Sequence, residues 1–185
     1  MMDLTALANH LRRITVGLAN GSGGVGSGVI WAPGVIVTNA HVVRASRIDV
    51  RGADGQRSDG AVVARDDDAD LAVLSAPALG FPAAMWSEDP YRPRVGSIVV
   101  AVGHPFGIPG ALTMGVVHAV GPIAAGGRPY IQADLRLAPG NSGGPLADAE
   151  GHVVGVNAMI MGALALAIPA SEIRRFLRRA GVRAA

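Results

Sequence analysis

The chain of 185 residues contains neither cysteine nor lysine. Without cysteine, the fold needs no disulfide, and thiol chemistry and thiolate metal sites are excluded. Without lysine, all 16 basic residues are arginine. The net charge is only +2, so the chain lacks the concentrated basic face of a nucleic-acid binder. Aromatics are scarce, with three Phe, two Trp and two Tyr. No stretch reaches the ~18 apolar residues of a membrane span. The first 30 residues carry no leader-like apolar run, which leaves a cytoplasmic chain or the trimmed part of an exported or anchored one. What is abundant is glycine (26) and proline (12), in a chain that is half hydrophobic. That balance predicts many short strands joined by tight turns around a sizeable core.

A short helix is expected over Asp3–Arg13, with Leu4, Leu7 and Leu11 on one face. Strands are expected at Ile14–Leu18, Gly28–Ala32, Val35–Thr38, Arg47–Arg51, Ala61–Arg65 and Leu71–Leu74. The Pro- and Ala-rich segment 76–95 reads as a crossover between two lobes. Further strands are expected at 97–102, 112–119, 129–134, 152–160 and 164–168. A closing helix is expected from an N-cap at Ser171 to Gly181. Its Arg174, Arg175, Arg178 and Arg179 read as a solvated face opposite Ile173, Phe176 and Leu177. The glycine run 21–28 lacks the closing Gly-Lys-Ser/Thr of a phosphate loop and reads as a loop or hairpin entry.

Three local settings carry chemistry. Ser142 lies in Gly140-Asn141-Ser142-Gly143-Gly144, a turn that can expose a hydroxyl and turn backbone N–H groups into one hole. His41 follows the apolar strand Val35–Thr38. Asp66, Asp67, Asp68 and Asp70 compete to orient it. Asp70 is favoured because it alone directly precedes the apolar strand Leu71–Leu74, and Asp68 comes second. A serine needs a base, and that base needs an orienting partner. The chain order His, Asp, Ser is that of chymotrypsin rather than of subtilisin or the α/β-hydrolases. The other histidines, His10, His104, His118 and His152, read as structural.

The segments Gly26–Ile30, Val37–Val43, Asp70–Leu74, Gly103–Gly107, Ala138–Leu146 and Ala167–Pro169 recur in one order. Together they resemble the protease domain of the HtrA/Deg family of trypsin-like serine proteases, over roughly residues 25–180. The resemblance implies an all-β, chymotrypsin-like fold of two perpendicular six-stranded β-barrels with a C-terminal helix. It divides a single protease domain into a first barrel (14–80), a crossover (81–96), a second barrel (97–170) and a helix (171–181). It implies cofactor- and metal-free hydrolysis of unfolded or flexible polypeptides through an acyl-enzyme. His41 would be the base, Asp70 its orienter and Ser142 the nucleophile, with the Gly140 and Ser142 amides as oxyanion hole. Leu137, Ala158, Met159 and Ile160 would line the primary pocket and favour small or medium aliphatic side chains. Arg136 stands where the digestive enzymes set charge selectivity, and is expected to face solvent.

Two features depart from the family pattern. Only residues 169–185 follow Ile168, too few for a PDZ domain, and His104 stands where the family often has asparagine. A trimer is compatible with the family but unspecified by the sequence. The rival function is a catalytically silent peptide-binding module on the same fold, and an esterase would use the same residues.

Overall fold

Short apolar runs separated by glycine and proline turns produce twelve strands among the described residues, closed into two antiparallel barrels. The computed structural model describes residues 3–20, 25–77, 80–87, 89 and 93–182. The first barrel comprises β1 (Thr15–Ala19), β2 (Val25–Ala32), β3 (Val35–Thr38), β4 (Arg47–Arg51), β5 (Arg57–Asp66) and β6 (Leu71–Ser75), ordered β1-β2-β3-β6-β5-β4. The second comprises β7 (Ile98–Gly103), β8 (Ala111–Pro122), β9 (Pro129–Asp134), β10 (Pro145–Asp148), β11 (Val153–Met161) and β12 (Leu164–Pro169), ordered β10-β11-β12-β9-β8-β7. Helix α1 (Leu4–Arg13) precedes the first barrel and α2 (Ala170–Arg179) follows the second.

Side chains on successive strand residues face opposite ways. Val16, Leu18, Ile36, Ala72 and Leu74 fill the first barrel, and Val99, Ala101, Ile131 and Leu146 fill the second. Their neighbours Val29, Val37, Leu71, Val73, Val100 and Val102 face a third cluster, shared with Leu11 of α1 and with Ile173 and Phe176 of α2. Both strand faces are therefore dry, which is why these strands read as continuous apolar runs. Each fully buried Leu or Ile contributes about 1.5–3 kcal/mol.

The segment between the barrels lies against both. Ala84 N–H donates to the Ile30 carbonyl (2.8 Å), Val153 N–H to Met85 (2.7 Å) and Ser87 N–H to Val153 (3.0 Å). The Trp31 and Trp86 rings pack against each other with centroids 4.4 Å apart and planes tilted by 46°. Residues 78–79, 88 and 90–92 of the expected crossover lie outside the described residues.

Several expectations are corrected. Strand β10 was not foreseen, because four residues beside the serine turn give no period of their own. Strands β2 and β5 start earlier than their apolar cores, since backbone pairing continues past them: Ala19 pairs with Val25, and Arg51 with Arg57. Residues 21–24 of the glycine run lie outside the described residues. Ser171 is not an N-cap. Pro169 holds that position without a side-chain cap, because β12 turns directly into α2. Gly181, at φ +68°, does end the helix, with its N–H on Arg178 and that of Val182 on Leu177. Nor is the arginine face of α2 wholly solvated. Arg174 is half-buried over the Trp31 ring and donates to the Ser87 carbonyl at 2.7 Å, and Arg179 pairs with Asp66 at 3.1 Å.

Candidate active site

His41 sits in a short 3₁₀ turn (Ala40–Val42) directly after β3. Asp70 ends the turn between β5 and β6 and adopts φ +51°, a left-handed conformation that Asp tolerates better than most residues. This turn brings its carboxylate to His41. Both carboxylate oxygens lie 2.9 Å from His41 Nδ1, and Oδ1 also accepts the His41 main-chain N–H at 3.0 Å. The buried Asn39 side chain holds the turn by donating to the Asp70 carbonyl at 3.0 Å.

The competing aspartates are placed elsewhere. Asp66 accepts the Ala69 N–H (2.8 Å) and pairs with Arg179. Asp67 pairs with Arg65 at 2.6 Å, and that hydrogen bond holds its carboxyl below the usual range. Asp68 is exposed. Asp70 is the aspartate that meets His41.

Ser142 stands in a turn whose carbonyls are all engaged. Pro139 accepts from Phe106 N–H (2.9 Å), and Gly140 from His104 N–H (3.3 Å) and the Ser27 hydroxyl (2.7 Å). Asn141 accepts from Gly144 N–H (3.1 Å) and Ser142 from Ser27 N–H (2.8 Å). Among the described residues, the Gly140 and Ser142 amides donate to no internal acceptor. In a trans peptide the N–H opposes its carbonyl. Turning these carbonyls toward the protein therefore turns the two amides the other way.

Glycine is required here. Gly140 has φ +106°, and a Cβ there would lie 2.2 Å from the His104 carbonyl oxygen. Gly143 has φ +85°, and a Cβ would lie 2.0 Å from the Ser27 carbonyl and 2.2 Å from Thr38 Oγ1. The turn is wedged between the barrels, with Ser27 and Thr38 from the first and His104 and Asn157 from the second.

The Ser142 hydroxyl donates to the Ala158 carbonyl at 3.1 Å, and among the described residues it forms no hydrogen bond with His41. Ala158 is the extra residue of a β-bulge, since Asn157 pairs with Ala167 and Met159 with Leu166. The bulge frees its carbonyl from the ladder. Met159 and Ile160 continue along the exposed end of β11, while Leu137 is half-buried against the second barrel's core. Arg136 is exposed, as expected.

Sequence reasoning missed two polar residues behind the turn, Ser27 and His104. Ser27 is fully buried and His104 is 6% exposed. Burial first, and then the Arg51 charge, lower the His104 pKa to about 4, so the ring is neutral near pH 7. Ser27 lies within the segment Gly26–Ile30, but nothing in that segment distinguishes a buried hydroxyl from a turn serine.

Two closed barrels, with an imidazole–carboxylate pair from one and a glycine-flanked serine from the other, define a chymotrypsin-type serine protease fold and site. Residues 26–156 match the family model described as a trypsin-like peptidase domain. The chain belongs to this family, and within it to the HtrA/Deg type. It is 35% identical over 164 residues to the serine protease HTRA1 of Xenopus laevis, covering 82% of this chain and 35% of that protein. It is 39% identical over 176 residues to the mitochondrial serine protease HTRA2 of Bos taurus, covering 89% and 37% respectively. The chain thus spans just over a third of the length of these relatives. A structure of a variant of the HtrA-type protease AlgW with a tripeptide superposes with a TM-score of 0.89 at 28% identity, covering 98% of this chain and 64% of that one. No helix among the described residues is long and apolar enough to cross a membrane.

Proposed function

We propose that this domain is a serine endopeptidase acting on unfolded or flexible polypeptides. The observation that carries this reading is the turn at 139–142, whose carbonyls are tied back while the Gly140 and Ser142 amides are left without an internal acceptor. Donors preset where charge develops stabilise a transition state without reorganisation.

In this reading Asp70 accepts the Nδ1 proton of His41 and fixes the tautomer, leaving the Nε2 lone pair to act as base. An extended substrate lies along the end of β11 and donates a main-chain N–H to the Ala158 carbonyl. That donor displaces the Ser142 hydroxyl, which turns to His41. Oγ then attacks the scissile carbonyl carbon and its proton passes to Nε2. The oxyanion sits on the Gly140 and Ser142 amides. Collapse of the tetrahedral adduct breaks the C–N bond, and Nε2 returns the proton to the leaving amine. Water repeats the cycle on the acyl-enzyme, restoring Ser142. Leu137, Ala158, Met159 and Ile160 form an apolar surface for the side chain before the cut. The residues supply base, nucleophile and oxyanion donors themselves, so the chemistry requires no cofactor.

The test is a mass-spectrometric map of peptides released from unfolded casein by the wild type and by Ser142→Ala. The expected result is many cuts by the wild type and none by the variant. Equal fragment patterns from both would remove Ser142 as the nucleophile.

A further inference from the structure

A polar cluster lies directly behind the serine turn, where the two barrels meet. The Ser27 hydroxyl has one proton and directs it to the Gly140 carbonyl, 2.7 Å away. It accepts the His104 main-chain N–H at 3.0 Å, and His104 Nδ1 lies 3.2 Å from it. With the hydroxyl proton committed to Gly140, hydrogen-bond balance assigns a proton to Nδ1, which makes the ring a second donor to Ser27. The hydroxyl is then saturated, with two bonds accepted and one donated. Ser27 also holds the turn through its backbone, since its N–H donates to the Ser142 carbonyl at 2.8 Å.

The Gly140 carbonyl belongs to the peptide plane between the two oxyanion amides. Rotation of that plane tilts the Gly140–Ser142 segment and moves both N–H groups. Glycine at 140 offers little steric resistance to such rotation. Hydrogen bonds must resist it instead: the Asn141 N–H of the same plane donates to the Ala138 carbonyl at 3.0 Å, and the Gly140 carbonyl accepts its shortest bond from the Ser27 hydroxyl. Ser27 is wholly buried, so without its hydroxyl the Gly140 carbonyl would keep only the longer bond from His104 N–H at 3.3 Å, a weaker hold on the plane.

We propose that Ser27 and His104 are positioning residues for the oxyanion turn: the Ser27 hydroxyl, oriented by His104, sets the plane of the Gly140 carbonyl and thereby the aim of the Gly140 and Ser142 amides. The role rests on the endopeptidase reading and adds to it two residues that do not touch substrate. It ties the quality of the oxyanion hole to the junction of the barrels, since Ser27 is on β2 and His104 follows β7.

The experiment measures kcat and KM on a peptide substrate, and the inhibition constant of a matched peptide boronate, for the wild type, Ser27→Ala, Ser27→Cys and His104→Ala. The boronate forms a tetrahedral adduct that uses the oxyanion hole, whereas ground-state substrate uses it less. Removing a direct oxyanion donor costs about 10²–10³ in kcat, so loss of an indirect support is expected to cost about 30-fold for Ser27→Ala. KM should stay within about threefold, and boronate affinity should fall in step with kcat/KM. Ser27→Cys, similar in size but a weak hydrogen-bonder, should lie between Ser27→Ala and wild type. His104→Ala keeps its main-chain donor and should lose only about three- to tenfold. Should Ser27→Ala fail to fold, Ser27→Cys and His104→Ala decide by the same split. An active wild type beside variants with unchanged kcat, or with losses confined to KM and boronate affinity intact, overturns the proposal alone. A wild type as inactive as Ser142→Ala overturns the endopeptidase reading instead.

Discussion

Asp70 grips His41 at two places at once, with Oδ1 shared between the ring Nδ1 at 2.9 Å and the main-chain N–H at 3.0 Å. An amide in its place has one oxygen where the carboxylate has two. If its oxygen takes both donors as Oδ1 does, its NH₂ falls at the Oδ2 position, 2.9 Å from Nδ1, where it opposes an Nδ1 proton. Asp70→Asn is therefore expected to favour the wrong tautomer and lower kcat by about 10⁴, the loss seen for the equivalent change in a chymotrypsin-type triad. The exposed Asp68 makes no such contact, and Asp68→Asn should stay within about twofold. Steady-state kinetics of the two variants checks this, and a reversed ranking would remove Asp70 as orienter.

Gly143→Ala introduces a Cβ 2.0 Å from the Ser27 carbonyl at φ +85°. Neither the backbone strain nor the overlap can relax without separating the turn from the first barrel. The expected outcome is destabilisation by at least about 3 kcal/mol together with loss of activity. Urea unfolding monitored by tryptophan fluorescence measures the first, and a midpoint near that of the wild type would contradict it.

The His104 ring gives stability a pH dependence. Its pKa is lowered to about 4 by burial and by the Arg51 charge, while the unfolded chain carries an ordinary histidine at ~6.5. The unfolded state therefore binds the proton first on acidification. The stabilisation is complete above about pH 6.5 and is lost as the pH falls from there to about 4, by roughly 3 kcal/mol in all. Urea midpoints across this window should decline for the wild type and decline less for His104→Asn. Parallel slopes for the two proteins would exclude His104 as the source.

Much of this was legible in the sequence, for physical reasons. The apolar runs at Val35–Thr38 and Leu71–Leu74 mark strands buried on both faces, and the residues at their ends, His41 and Asp70, are the ones that meet. Asp70 stands out among four aspartates because it abuts an apolar strand; ion pairs account for Asp66 and Asp67, and Asp68 is exposed. The bulge at Ala158, by contrast, arises from the pairing of β11 with β12 and leaves no local mark. Ser27 and His104 are separated by 77 positions in the chain, and only closure of the barrels against each other brings them together. Arg174 read as solvated because helical period alone does not reveal that the Trp31 ring and the Ser87 carbonyl lie beneath it.

The residue before the serine predicts independence from N-terminal processing. Asn141 is buried, and its side-chain oxygen packs against Gly103. An aspartate there would need a cationic partner, and a neutral amide does not. Protein with an N-terminal tag, without one, or trimmed back to Asp3 should show initial rates within about twofold of one another. Activity that emerges only on trimming would show that a new amino terminus completes the site.

Specificity should follow the exposed position of Arg136. With its guanidinium in solvent, the wall proposed from Leu137 and Ala158 would offer no charge to a substrate side chain. Cleavage should concentrate after Val, Ala and Leu, and Arg136→Ala should leave that pattern intact. A proteome-derived peptide library read by mass spectrometry provides the measurement. A preference for acidic residues that disappears in Arg136→Ala would place the guanidinium in the pocket.

The wedging of the serine turn between the barrels makes hydrolytic competence a property of the assembled pair. Ser27 and Thr38 hold the turn from one side, His104 and Asn157 from the other, and neither half alone supplies the whole cradle. Drawing the barrels apart would strip the turn of these supports even with each barrel still folded, so the proposed activity is expected to depend on the junction between the barrels as much as on either barrel.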